Sequence, residues 1–165
     1  MTGIRTVNNP VLWVYECLVL CGIAGFAVYD LFKRRVPDRA LAFFCLAAVP
    51  SPLIHAWPSI GWPLLHLFFL YYLAGAAAGF LILLSAALFT KSGAGIGGGD
   101  IKLAAVLGFI YGIAGITAIL LTASSLAAVT ALLIQKKHPP RQLSLPFVPF
   151  LAVGCLAVTT ATFIR

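Results

Sequence analysis

Four acidic residues, Glu16, Asp30, Asp38 and Asp100, are all that the 165-residue chain carries. Asp30 closes an apolar run and is followed by Lys33, Arg34 and Arg35, while Asp100 opens another apolar run directly after Gly97, Gly98 and Gly99. An ionisable side chain at membrane depth is costly and marks a functional site by default. The two aspartates lie far apart in sequence, yet each sits at the end of a run that faces a basic segment. If the two runs pack together, their carboxyls share one site. Two negative charges cannot both be held cheaply in a low dielectric, so one carboxyl of such a pair keeps its proton. That division suits the activation of water: the ionised member takes a proton as water attacks an amide, and the protonated member donates a hydrogen bond to the carbonyl oxygen. Gly97, Gly98 and Gly99 fit the same chemistry, because residues without side chains let an extended peptide backbone approach Asp100.

Each of these residues also has a plainer reading. Asp30 can pair with Lys33 or Arg34 one turn away, and Asp100 is well placed to cap a helix N-terminus, alone or in addition to a chemical role. Asp38, in Pro37-Asp38, reads as the cap of the second helix and not as a third catalytic carboxylate. Glu16 stands 14 residues before Asp30, or about 21 Å along a helix, and cannot join the same site. Protonated, or hydrogen-bonded to a neighbouring helix, it reads as a packing residue. Lys102 either lowers the cost of the Asp100 charge or snorkels to the interface. His55, His66 and His138 receive no role, since no ligand partner falls nearby in sequence. Gly93, Gly95 and Gly98 match a dinucleotide fingerprint, but the run follows a long apolar helix, not a strand, and ends on a carboxylate that would repel phosphate.

The elements that must position the aspartates are membrane spans. Hydrophobic residues make up 62% of the sequence and charged residues 9%, with a mean hydropathy of +1.06; a soluble domain is about half apolar and a quarter charged. The expected fold is an all-α polytopic membrane helix bundle of about six transmembrane helices, a single domain over residues 1–165, with the lipid bilayer as its surroundings. The spans fall at about 11–29, 40–57, 64–89, 100–111, 115–134 and 147–164. Pro50 and Pro52 are expected to kink the second, and a small-xxx-small pattern at Gly75 and Gly79 to bring another helix close to the third. Residues 101–134 would extend about 50 Å as one helix, too long for a hydrocarbon core of ~30 Å, so a break near Gly112 to Gly115 leaves a short fourth element.

The formal net charge of +7 is topological on this reading. The clusters Lys33, Arg34, Arg35 and Arg39, then Lys91 and Lys102, then Lys136, Lys137 and Arg141, hold nine of the eleven basic residues, leaving Arg5 and Arg165. The positive-inside rule puts these clusters on the cytoplasmic face and both termini outside, with no nucleic acid as partner. Cys17, Cys21, Cys45 and Cys155 all lie in apolar spans without a CxxC pair, so neither a metal site nor any other cofactor is expected.

Three stretches taken together resemble the type IV prepilin peptidase family of intramembrane aspartyl proteases. They are Tyr29-Asp30-Leu31-Phe32-Lys33-Arg34-Arg35-Val36-Pro37-Asp38, Gly97-Gly98-Gly99-Asp100-Ile101-Lys102-Leu103 and Leu145-Pro146-Phe147-Val148-Pro149-Phe150-Leu151. Gly97, Gly99 and Asp100 match the family's G-x-G-D motif, and Asp30 with Pro37 and Asp38 matches the setting of its first aspartate. The resemblance implies that Asp30 and Asp100 are the catalytic pair; Gly97, Gly98, Gly99 and Lys102 beside Asp100, and Pro146 at the entry of the sixth span, are the residues expected to shape the site or bind substrate. It implies cleavage, at the cytoplasmic membrane face, of a prepilin-like precursor between a basic leader and an apolar helix. The match is to the short, peptidase-only kind, since no cysteine-containing segment of the sort that supports N-methylation is found; the oligomeric state is left open. The rival from another class is a small membrane transporter or ion-handling subunit whose paired aspartates bind a cation or proton, and behind it a scaffold with no site. Transporters usually carry repeat halves, and none is evident here.

Overall fold

A computed structural model of the protein describes residues 10–56, 65–89, 97–135 and 146–164. They form six helices: α1 (Pro10–Lys33), α2 (Asp38–Ala48), α3 (Ser51–Ala56), α4 (Leu65–Phe89), α5 (Gly98–Gln135) and α6 (Val148–Ile164). No strand occurs among the described residues. Pro10–Lys33, His66–Phe89 and Gly98–Ile134 are long and apolar enough to cross a bilayer, and Val148–Thr162 is a shorter apolar helix. With no water at membrane depth to satisfy exposed backbone groups, helices that bond internally are the form such runs take. The bundle turns large apolar side chains outward, among them Phe32, Phe43, Leu88 and Phe89, as a multi-pass membrane protein does toward lipid.

The expected second span is present in two pieces. The chain leaves α2 at Val49, and Pro50 opens a new turn whose carbonyl accepts the Ile54 N–H at 3.0 Å. Proline has no N–H to continue α2, which is the physical reason for the interruption.

The expected break in the long helix falls at Gly112, with φ 69° and ψ −176°, and the helix resumes at once, so the fifth span starts earlier than residue 115. Only glycine adopts that φ cheaply. The break frees a hydrogen-bonding pair, the Ile110 carbonyl and the Ala114 N–H, which an unbroken helix would have joined. Side chains from other helices take both: the Ser51 hydroxyl donates to the Ile110 carbonyl at 2.8 Å, and the Ala114 N–H donates to the Tyr71 hydroxyl at 3.2 Å. A broken helix is tolerated at membrane depth because its freed groups are satisfied in this way.

Helix α4 packs mainly on α5. The expected small-residue contact is present, and Gly108 is its counterpart: a side-chain carbon at Gly75 would meet the Gly108 carbonyl oxygen, and one at Gly79 the Ala104 carbonyl oxygen. The core lies along α5 and α6, where Leu103, Leu107, Ile110, Ile116, Ile119 and Leu151 are fully buried. Helix α6 packs on both α1 and α5. The packing between the first and fourth runs that a shared site requires is made largely through α6.

Candidate active site

Asp30 and Asp100 are buried, at 5% and 9% exposure. Each is held by a backbone N–H. The Val148 N–H, at the start of α6, donates to Asp30 Oδ2 at 3.3 Å, and the Gly97 N–H donates to Asp100 Oδ2 at 3.3 Å. Asp30 lies in the last turn of α1 and Asp100 in the first turn of α5, within electrostatic reach of one another.

Local sequence explains how each side chain is presented. Helix α1 stops at Arg34, which takes φ 50° and returns its N–H to the Asp30 carbonyl at 2.8 Å, closing the last turn under the aspartate. Lys33 meanwhile lies over the Tyr29 ring at 5.3 Å and makes no ion pair with Asp30. Asp100 is the third residue of α5, not the residue before it; its carboxylate reaches back to a free N–H at the helix start, as the acid of a capping box does. In α6 the first turn is closed by Phe147, whose carbonyl accepts the Phe150 and Leu151 N–H groups. Pro149 has no N–H, and Val148 offers the orphan donor that Asp30 takes.

The other residues expected at the site divide. Gly99 is filled, because a side-chain carbon there would come 2.7 Å from Val36 Cβ, so this glycine lets the segment after α1 pack on the start of α5. Gly98 faces open space, with nothing within 4 Å of such a carbon, and Gly97 lies beside the Asp100 carboxylate. Pro146 is half-buried two residues before Val148. Lys102 does not neutralise Asp100; its ammonium pairs with Asp38 Oδ1 at 2.8 Å, with both side chains largely in the open. Asp38 does not cap α2. Pro37 occupies the cap position, and the carboxylate turns instead to Lys102, tying α2 to α5 at the end where Asp100 lies.

Cys17, Cys21 and Cys45 are exposed, Cys155 is buried, and all four are free. No group of three or more metal-ligating side chains occurs among the described residues. His138, Lys91, the cluster Lys136, Lys137 and Arg141, the terminal Arg5 and Arg165, and Gly93 and Gly95 lie outside the described residues, and with them the charge pattern behind the expected topology.

The hydrogen bonding expected of Glu16 to a neighbouring helix is present, and it extends to a second polar cluster whose other members the sequence reading did not name. Glu16, 5% exposed, contacts His55, Tyr111 and Thr159 on three other helices. Helix arithmetic held the signal: Glu16 lies 14 residues from Asp30, while Tyr111 and Thr159 lie 11 residues from Asp100 and Val148, so all three sit about 17 to 21 Å from the aspartates. Ser51, His55 and Glu16 form a chain of contacts like that of a nucleophilic triad. Ser51 is fully buried, however, and its hydroxyl proton is committed to the Ile110 carbonyl, so it offers no nucleophile.

Residues 17–132 match the model of the type IV leader peptidase family. The chain is 36% identical over 134 residues to a curated Bacillus subtilis (strain 168) protein described as a prepilin leader peptidase/N-methyltransferase, covering 79% of this chain and 48% of that protein. It thus spans about half the length of the curated relative it matches. No solved structure matches the chain significantly. A family match that includes both the helix end bearing Asp30 and the glycine turn bearing Asp100 leads to one conclusion: the chain belongs to the type IV leader peptidase family.

Proposed function

We propose that the protein is an intramembrane aspartic endopeptidase that removes the basic leader from prepilin-like precursors at the cytoplasmic membrane face, with Asp30 and Asp100 as its catalytic pair. The observation that carries this reading is that the buried carboxyls at the end of α1 and at the start of α5 are each held by a backbone N–H. Family membership supports the reaction class.

The chemistry follows from one proton shared by two carboxyls. The ionised aspartate takes a proton from water as the water oxygen bonds to the scissile carbonyl carbon, and the protonated aspartate gives its proton to the carbonyl oxygen. The resulting diol collapses. One diol proton returns to the second aspartate, the first passes its proton to the amide nitrogen, and the carbon–nitrogen bond breaks. The pair ends as it began, with one proton between its members. The open space beside Gly98 gives an extended backbone its approach. A basic leader is not drawn in by the basic segment Lys33, Arg34 and Arg35; docking of the substrate's apolar helix among the spans supplies the binding.

The test is co-expression with a precursor carrying a basic leader before an apolar helix, followed by a mobility shift. The wild type removes the leader, and Asp30→Asn and Asp100→Asn each abolish removal; unchanged processing in either variant refutes the assignment. Cleavage by purified protein in detergent, without any gradient, separates proteolysis from transport.

A further inference from the structure

Among the described residues, the Glu16 cluster is a set of buried and half-buried polar groups that the proposed mechanism leaves unused, and its hydrogen bonds fix a proton count. His55 Nδ1 lies 2.9 Å from the Ser51 carbonyl oxygen, which can only accept, so Nδ1 carries a hydrogen. The Ser51 hydroxyl, 3.2 Å from the same nitrogen, has already given its proton to the Ile110 carbonyl and likewise only accepts. His55 Nε2 faces Glu16 Oε1 at 3.1 Å. With Nδ1 protonated, a neutral imidazole presents a lone pair at Nε2, which a carboxylate would repel. The contact therefore holds one proton, on the imidazole or on the carboxyl, and the pair is neutral in either form. Glu16 Oε2 faces two hydroxyls, Tyr111 Oη at 3.0 Å and Thr159 Oγ1 at 3.2 Å, which also lie 3.0 Å from each other; both can donate to Oε2, which leaves the shared proton to the Oε1–Nε2 contact. The other titratable groups around the pair are Tyr15 on α1, Tyr72 on α4 and Cys155 on α6, with the Tyr15 and Tyr72 rings 6.0 and 5.9 Å from that of His55.

The cluster sits at a mechanically defined place. Tyr111 is the last residue before the break at Gly112, so it ends the straight segment whose other end bears Asp100, about 17 Å away. Glu16 stands about 21 Å from Asp30 on α1. Thr159 belongs to α6, whose first N–H holds Asp30. The three helices that converge on the two aspartates are thus tied together again at their far ends by a single side chain.

We propose that Glu16, sharing one proton with His55 of α3, is a clamp that through Tyr111 and Thr159 aligns α1, α5 and α6 and so positions Asp30 and Asp100. Glu16 and His55 are positioning residues, not catalytic ones, and the inference rests on the catalytic reading above.

Three variants test it. In Glu16→Gln the amide N–H donates to Nε2 while the amide oxygen accepts from Tyr111 and Thr159, so every bond is kept with the proton fixed in place. In Glu16→Leu the volume is kept and every bond is lost. Tyr111→Phe removes one hydroxyl and should fold if Glu16→Leu does not. For leader removal in detergent, kcat of E16Q is expected within about twofold of wild type, with the unfolding midpoint unchanged. E16L loses at least about tenfold in kcat with KM within twofold and melts lower, and Y111F loses about two- to fivefold in kcat alone. A glutamine variant as impaired as the leucine variant overturns the shared proton. Full activity in E16L or Y111F, or a loss carried by KM, overturns the positioning role. Wild-type protein that cleaves nothing refutes the protease reading, and the melting of E16Q against E16L then still decides the proton count.

Discussion

The packing of α4 on α5 gives a prediction whose sign can be worked from distances. A methyl group at Gly75 would lie 2.6 Å from the carbonyl carbon of Gly112 and 2.8 Å from its Cα, besides meeting the Gly108 carbonyl oxygen. Ordinary carbon contacts lie at about 3.5 to 4.0 Å, so Gly75→Ala forces the helices apart by about 1 Å. The obstacle is backbone on both sides and cannot swing away, as a flexible side chain would. An opening of that size forfeits a quarter to a half of each dispersion contact along the interface, and overpacking of this kind costs about 3 kcal/mol at the upper end of its usual range. Alanine recovers about 1 kcal/mol of helix propensity over glycine, leaving a net loss of about 2 kcal/mol. For a chain of this size that lowers the thermal midpoint by about 4 to 8 °C. Gly25, in α1, has nothing within 4 Å of the same methyl position. Gly25→Ala therefore feels only the propensity gain and raises the midpoint by about 2 to 4 °C. Circular dichroism melts of the two variants in one detergent make the comparison. Shifts of the same sign, or a G75A midpoint at or above wild type, would refute the argument that backbone contact governs this interface.

Gly112→Ala places a side chain at φ 69°, ψ −176°, a conformation essentially confined to glycine, and against the Tyr71 ring; the backbone term alone costs about 1 to 3 kcal/mol, and the same melts are expected to show a drop of at least about 2 °C. The exposed Asp38–Lys102 pair is expected to contribute only about 0.2 to 1 kcal/mol in a double-mutant cycle of Asp38→Asn and Lys102→Met. That coupling should shrink at high salt, and a value above about 2 kcal/mol would mean the pair is less solvated than its exposure indicates.

The membrane class and most helix positions were legible because they follow from two strong constraints, the length of an apolar run and the need to satisfy its backbone. The Gly112 break was legible to within three residues, since a straight helix over 101–134 would overrun the bilayer and glycines were on hand to end it. The two aspartates stood out because charge is so scarce here. The donors that hold them were less legible. Pro149 and the orphan N–H of Val148 are visible in sequence only to a reader who already knows that the start of α6 abuts the end of α1. Asp38 was misread for a local reason: a Pro-Asp step favours a cap when only neighbouring residues are weighed, whereas Lys102, 64 positions on, offers a full charge.

Glu16 was legible as a carboxyl hydrogen-bonded to a neighbouring helix, but which groups it meets was not, and His55 was given no role, for a deeper reason. His55 was judged by the partners near it in sequence, and in a helical bundle the partners of a buried polar group lie at equal depth on other helices. Depth can be counted from sequence once a common reference plane is chosen, and the two aspartates supply one. Counted from that plane, Glu16, Tyr111 and Thr159 fall within about 5 Å of a common level. Burial gives the physical reason that such residues should find one another: a carboxyl at that level, cut off from water, must collect hydrogen bonds from whatever polar groups share its layer. The cluster is the answer that this sequence gives to a glutamate in mid-span. Its members span the three helices that carry or hold the aspartates, so a change in its hydrogen bonding should be felt at the opposite end of the bundle.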